Sequence, residues 1–294
     1  MKRIALSALL LLSACGAEFD PGSRVTDFRL LAVSADAPYA APGETVHLTA
    51  LVHEPFGRTV SYAWMTCQNP EDTSALGCLA QAGGTQSGVG LDQIDVTIPA
   101  GALDSIPAES RANALVGVVT VACPGTLTPV SGSLPFRCQD EASGEDLPYE
   151  RWAVSVKRIF VRAQDRNANP IIAQLSWDGA PWPDGEVKQT KPCSNNPNHI
   201  DDCDGGERHR VSVSVAPGSV ESGTDEVGHE FQEQLIVQYY ATEGTFQFDV
   251  RTAASPSNEW AARKRASGAT QTLWFVVRDN RGGVTWTSRQ VDVQ

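Results

Sequence analysis

The chain has no apolar run long enough to cross a membrane as a helix. The stretch from Ile4 to Leu12 is nine residues and no later one is long enough, where a span takes about 20. It also lacks an excess of positive charge. Lys and Arg number 23 against 35 Asp and Glu, a net charge of −12. An acidic surface argues against nucleic acid and other polyanions as partners, and it tolerates divalent cations. Catalytic signatures are missing as well. There is no Gly-x-Ser-x-Gly, no Ser-x-x-Lys and no Walker loop, and His229-Glu230 has no second histidine at metalloprotease spacing. The five histidines are scattered, and no nucleophile stands beside a base. These absences predict a protein that is not an enzyme and holds no cofactor, calcium apart.

What is present begins with the first residues. Lys2 and Arg3 precede the apolar run, then come Leu12-Ser13-Ala14-Cys15 and Gly16. A charged start, a short apolar stretch and small residues read as a secretory signal. The four residues ending in Cys15 resemble the lipobox of bacterial lipoproteins. The alternative is an ordinary signal peptide cut near Ala14 or Ala17. The resemblance implies a signal peptide over 1–14, cleavage before Cys15 and lipidation of Cys15. It implies a diacylglycerol on the sulfur, an acyl chain such as palmitate on the amine, and the membrane as a partner through this anchor. Gly16, in place of an aspartate, points to the outer membrane. Residues 15–23 then serve as a tether. Removing 1–14 leaves 280 residues and, with Lys2 and Arg3 lost, a net charge of −14. At roughly 150 residues per domain, that length predicts two domains.

Apart from Cys15 there are six cysteines: Cys67, Cys78, Cys123, Cys138, Cys193 and Cys203. An even number in an oxidising compartment reads as disulfides. Six cysteines allow about 15 pairings. The nearest-neighbour choice joins 67 to 78, 123 to 138 and 193 to 203, each bridge contributing about 3 kcal/mol.

The rest of the chain reads as short alternating strands separated by Gly, Pro, Asn and Asp. Val25 to Ser34 opens the series. Val46, Leu48, Ala50 and Val52 alternate with polar neighbours, as do Val60, Tyr62 and Trp64, and Ile94, Val96 and Ile98. Leu115 to Cys123 is apolar enough for a central strand. From Trp152 the alternation slips at Lys157-Arg158, which reads as a β-bulge. Gln139 to Pro148 reads as a long surface loop. The second half repeats this grammar and ends in a hairpin, Leu273 to Val277 and Val284 to Val293 around Arg278–Gly283.

Ala41-Pro42-Gly43-Glu44-Thr45-Val46-His47-Leu48, followed by Tyr62-Ala63-Trp64, is similar to the opening of immunoglobulin-like and PKD-like bacterial surface domains. Trp274 to Gly283 resembles their final hairpin. The layout resembles uncharacterised Gram-negative lipoproteins with tandem domains of this type. The fold expected is therefore all-β, with two tandem Ig-like/PKD-like β-sandwiches over 24–164 and 170–294 joined by a linker at 165–169. The chain departs from true immunoglobulin domains in having no cysteine between Thr45 and His53 to form the usual inter-sheet disulfide.

Candidate sites are sparse. Asp165, Asn167 and Asn169 offer oxygens at alternate positions of the junction, as a calcium linker does, although Ala168 interrupts the set. The competing reading is a run of Asx turns. Cys193, His199, Cys203 and His209 are drawn less readily as a zinc site than as a disulfide-stapled loop. Asp201, Asp202 and Asp204 add a weaker calcium possibility. Trp177, Trp182, Trp260 and Trp286 invite sugar stacking, with Trp182, between two prolines, expected to be the most exposed. The function these features predict is a binding or adhesion module at the outer membrane, with an unknown protein or glycan ligand. A structural spacer of the envelope, a carbohydrate-binding protein and a divergent hydrolase are the alternatives.

Overall fold

The computed structural model describes residues 20–69, 72–132, 135–164, 166–224 and 229–294. The first half contains β1 (Arg29–Ala35), β2 (Tyr39–Ala40), β3 (Thr45–His53), β4 (Ser61–Gln68), helix α1 (Ala75–Ala80), β5 (Gly83–Val89), β6 (Gln93–Thr97), β7 (Leu115–Cys123), β8 (Thr126–Pro129), β9 (Phe136–Gln139) and β10 (Ala153–Val161). The second half contains β11 (Ile172–Trp177), β12 (Ala180–Pro181), β13 (Val187–Thr190), β14 (Arg208–Val215), β15 (Ser222–Thr224), β16 (Glu230–Gln232), β17 (Ile236–Ala241), β18 (Thr245–Phe246), β19 (Val250–Thr252), β20 (Asn258–Ala261), β21 (Thr270–Arg278) and β22 (Val284–Val293).

Each half folds as a sandwich. In the first, β1-β3-β6 faces β2-β10-β7-β4-β5; in the second, β12-β11-β14-β20-β18 faces β13-β22-β21-β17-β19. Both open the same Ig-like way. The opening strand pairs antiparallel with the next long strand, β1 with β3 and β11 with β14. The chain then crosses to the facing sheet and pairs in parallel with the last strand, β2 with β10 and β13 with β22. The alternation read in the sequence fills the two cores. Val46, Leu48, Ala50, Trp64, Ile94, Val96 and Ile159 pack in the first. Val211, Val213, Tyr239, Trp260, Leu273 and Phe275 pack in the second.

One sheet face that is solvent-facing in a simple sandwich is covered here. The outer face of the first five-stranded sheet carries Ala63, Met65, Val119 and Val121, and it packs with Phe136, Cys78 and Leu127 of the helix and the β8–β9 hairpin. Disulfides Cys67–Cys78 and Cys123–Cys138 staple these inserts to β4 and β7. The third disulfide, Cys193–Cys203, closes a loop of the second sandwich. All three follow the nearest-neighbour choice. Gly117 faces the first bridge so closely that a Cβ there would sit 2.6 Å from the Cys67 sulfur.

The β-bulge expected at Lys157-Arg158 is absent. β10 pairs with β7 in unbroken register from Ala153 opposite Ala122 to Phe160 opposite Leu115. The apparent slip arises because the strand is apolar on both faces in turn. Trp152, Val154 and Val156 pack outward under the inserts, while Ile159 and Val161 face the sandwich core. Trp182 is also corrected. It is buried, not exposed, because it packs edge-on against Trp177 with ring centroids 4.8 Å apart and donates from its indole to the Glu186 carbonyl at 2.9 Å. Trp177 and Trp260 are buried too, which leaves Trp286 as the partly exposed member of that set.

Candidate functional site

The two sandwiches pack side by side, and the junction between them concentrates polar side chains. Successive β21 residues point to opposite faces. Leu273, Phe275 and Val277 enter their own core, so Trp274 and Val276 project toward the first sandwich. There they meet Val25, Leu31, Ala32 and Leu51, with Tyr240, Val284 and Trp286 closing the patch. A strand buried on both faces reads as a continuous apolar run rather than an alternating one, which is what Leu273–Val277 does.

The chain before β1 strengthens this contact. The Val25 amide donates to the Ala241 carbonyl and the Ala241 amide to the Ser23 carbonyl, both at 2.8 Å. Arg24 is buried against the second sandwich. Its guanidinium donates to the Gly244 and Pro197 carbonyls, Asn198 and Thr245 at 3.0–3.2 Å and to Asp20 at 2.7 Å, with Glu243 at 3.7 Å. Glu243 also pairs with Arg263 at 3.0 Å. A buried guanidinium is tolerated only when its donors are met in this way.

The junction segment supplies the next set. Asp165 lies outside the described residues. Asn169 donates to the Ala35 and Asp36 carbonyls at 2.7 and 3.1 Å and accepts from the Val284 amide at 2.9 Å, so one carboxamide joins both sandwiches. Asn167 donates to Asp279 at 3.0 Å, and its own oxygen is buried without a hydrogen-bond partner. Arg166 forms a two-pronged pair with Glu44 at 2.8 and 2.9 Å, which holds the Glu44 carboxyl below the usual range. Asp279 in turn caps its hairpin turn, accepting from the Arg281 and Gly283 amides at 2.8 and 2.7 Å.

Beside this segment a cleft of about 460 Å³ is lined by Leu30–Val33, Ala153–Arg158 and Arg278–Val284. Lys157 and Arg278 reach into the junction from opposite sandwiches. The Lys157 ammonium donates to the Gly282 carbonyl. Arg278 donates to the Leu31 carbonyl at 3.0 Å and to Gln238 at 2.6 Å. Burial, with Arg278 adding repulsion, brings the Lys157 pKa down to about 8. Arg281 bonds Glu221 and Glu233 at 3.1 and 3.2 Å and lies over the Phe231 and Tyr39 rings. Arg24, the first residue of the expected sandwich, did not stand out in the sequence, and Lys157 stood out as part of a slip in the alternation and not as a junction cation. The only signal was the polar residue at an inward position of β10.

The remaining candidates are scattered. His209 stacks on Trp177 at 4.3 Å and bonds Asp178 and Thr190, while His199 is exposed. With Cys193 and Cys203 bridged, no zinc ligand set is assembled. Asp201 pairs with Arg208 at 3.2 Å. Among the described residues no group of three or more His, Cys, Asp or Glu side chains is placed to hold a metal ion, and no helix is long and apolar enough to cross a membrane. Cys15 lies outside the described residues.

No protein-family model matches this chain, and no curated protein does. Among solved structures the chain is similar to the crystal structure of red sea bream transglutaminase, at 10% identity over 92% of this chain and 32% of that one, with a TM-score of 0.25. It is also similar to the human desmocollin-1 ectodomain, at 12% identity over 88% of this chain and 34% of that one, with a TM-score of 0.22. The chain thus spans about a third of the length of each.

Proposed function

We propose that this protein is a non-catalytic, lipid-anchored module of the cell envelope, held at the outer membrane through Cys15, that presents two clamped sandwiches as one rigid binding unit. The observation that carries this reading is the side-by-side packing around Trp274, Leu31 and Arg24. A spacer extends its domains end to end, whereas here the segment that follows the anchor folds back onto the second sandwich. The ligand-presenting surface on this reading is the junction and its cleft, where loops and strand ends from both sandwiches converge.

The experiment has two readouts. Labelled palmitate and cell fractionation should place the wild-type chain in the membrane fraction with label, and Cys15→Ala in the soluble fraction without it. An unlabelled wild type, or a variant still in the membrane, contradicts the anchor. A photo-crosslinker at Arg158 on the cleft rim should give a discrete adduct in intact cells that one at Val187 does not give. Identical patterns from both positions contradict a binding surface at the junction.

A further inference from the structure

The inner face of a sandwich strand is ordinarily apolar. On β10 that face carries Ala153, Ser155, Lys157, Ile159 and Val161, the parity being set by Ile159 and Val161 in the core. Apolar packing therefore gives way to Ser155 and Lys157 where β10 faces the second sandwich. Lys157 is only 6% exposed. Among the described residues its ammonium donates to one carbonyl, that of Gly282, and two of its three hydrogens have no protein acceptor. Among the described residues no salt bridge reaches Lys157 or Arg278; Asp279 offsets only part of the burial of Lys157 from a distance. Buried charges are normally paired.

The cleft as a whole repeats the imbalance. Lys157, Arg158, Arg278 and Arg281 line it against a single carboxylate, Asp279, in a chain whose net charge is −12. Asp279 is engaged by the Asn167 carboxamide and two backbone amides. Arg158 is held by the Thr73 carbonyl at the rim, and Arg281 by Glu221 and Glu233. Lys157, Arg158 and Arg278 have no carboxylate partner among the described residues; Arg158 is exposed at the rim, and Lys157 and Arg278 come from different sandwiches. β2 pairs only with Phe160 and Val161 of β10, so no described strand pairs with the β10 edge beside Lys157, where β1 and the Gly282 turn form the cleft walls.

We propose that this cleft binds an oxyanion, a carboxylate or phosphate group of a small ligand, clamped between Lys157 of the first sandwich and Arg278 of the second. The inference rests on the reading of the junction as a binding surface and specifies what it takes. An anion there supplies the missing counter-charge and ties the sandwiches together.

The test is thermal unfolding of the full chain with inorganic phosphate or succinate, ionic strength being held constant with sodium chloride. One or both should raise the Tm saturably by about 5 °C. Succinate acting alone assigns a carboxylate, and phosphate acting alone assigns a phosphate. Lys157→Met keeps the aliphatic stem and should weaken the apparent affinity about 10- to 100-fold, as expected for a lost charged hydrogen bond. Arg208→Gln, outside the cleft and paired with Asp201, should leave it within about threefold, since exposed charges interact weakly. No shift with either anion, or the same shift in Lys157→Met, overturns the site. Either result leaves the Cys15 anchor and the crosslinking pattern to be judged separately.

Discussion

Replacing Lys157 with Met should stabilise the folded chain. In the unfolded chain the ammonium keeps its proton to about pH 10.5, the ordinary lysine value; folded, burial brings it to about 8. Between those values the unfolded state binds more protons, so stability rises with pH across that window. Below pH 8 both states are protonated and the cost of the buried charge is fully present. At about 1.4 kcal/mol per pH unit, that cost is about 3 kcal/mol. Lys157→Met removes the charge, keeps most of the stem's packing and gives up the bond to Gly282, itself worth about 1.5–3 kcal/mol when charged. The net gain at pH 7 is therefore at most about 1.5 kcal/mol. The assay is urea unfolding at pH 7, 8, 9 and 10 in chloride buffer. The upper limit matters because burial pushes Tyr62 to about 12 and so turns the pH dependence downward above pH 10. Wild-type stability should climb from pH 8 to 10, and the variant's should not. A flat or falling wild-type curve, or a variant with the same slope, refutes the reasoning.

Three further substitutions probe the junction and the staples. Trp274→Ala empties the centre of the inter-sandwich patch and should cost about 3 kcal/mol, read by denaturant unfolding. Arg24→Met takes the side-chain donor from the Gly244 carbonyl, while the Pro197 carbonyl keeps Thr245 and Glu243 keeps Arg263; it should cost about 2 kcal/mol and speed hydrogen exchange at the Ala241 amide. Gly117→Ala drives a methyl against both sulfurs of the Cys67–Cys78 bridge. It should cost about 2 kcal/mol and expose two thiols to a mild reductant sooner than in the wild type.

Much of the fold was legible because strands with one buried face alternate. Thr45–His53 and the alternation of Ile94, Val96 and Ile98 read as strands, and the structure has strands at Thr45–His53 and Gln93–Thr97. The Arg278–Gly283 turn reads as a hairpin and is one. The disulfides followed sequence proximity because each staples an insert or loop back to its own neighbourhood. The misreadings share one cause, which is burial on a second face. β10 looked bulged because its outer face is covered by the inserts. Trp182 looked exposed because its flanking prolines hid the aromatic cluster awaiting it. The Leu273–Val277 run carried the trace of the second interface, since a final strand of a free-standing sandwich has no reason to put Trp274 and Val276 outward. The junction polar set was half visible. Asn167 and Asn169 stood out as oxygen donors, but that Asn169 spends its carboxamide on Ala35, Asp36 and Val284 depends on contacts more than a hundred residues apart. Lys157 and Arg278 could not be paired from the sequence, because nothing local relates the last strand of one sandwich to the final hairpin of the other.

The clamped junction is tested most directly by the cooperativity of unfolding. Following tryptophan fluorescence and far-UV circular dichroism together, the wild-type chain should unfold in one coincident transition, and Trp274→Ala should separate it into two. Two independent transitions in the wild type, unmoved by Trp274→Ala, would contradict a rigid two-sandwich unit.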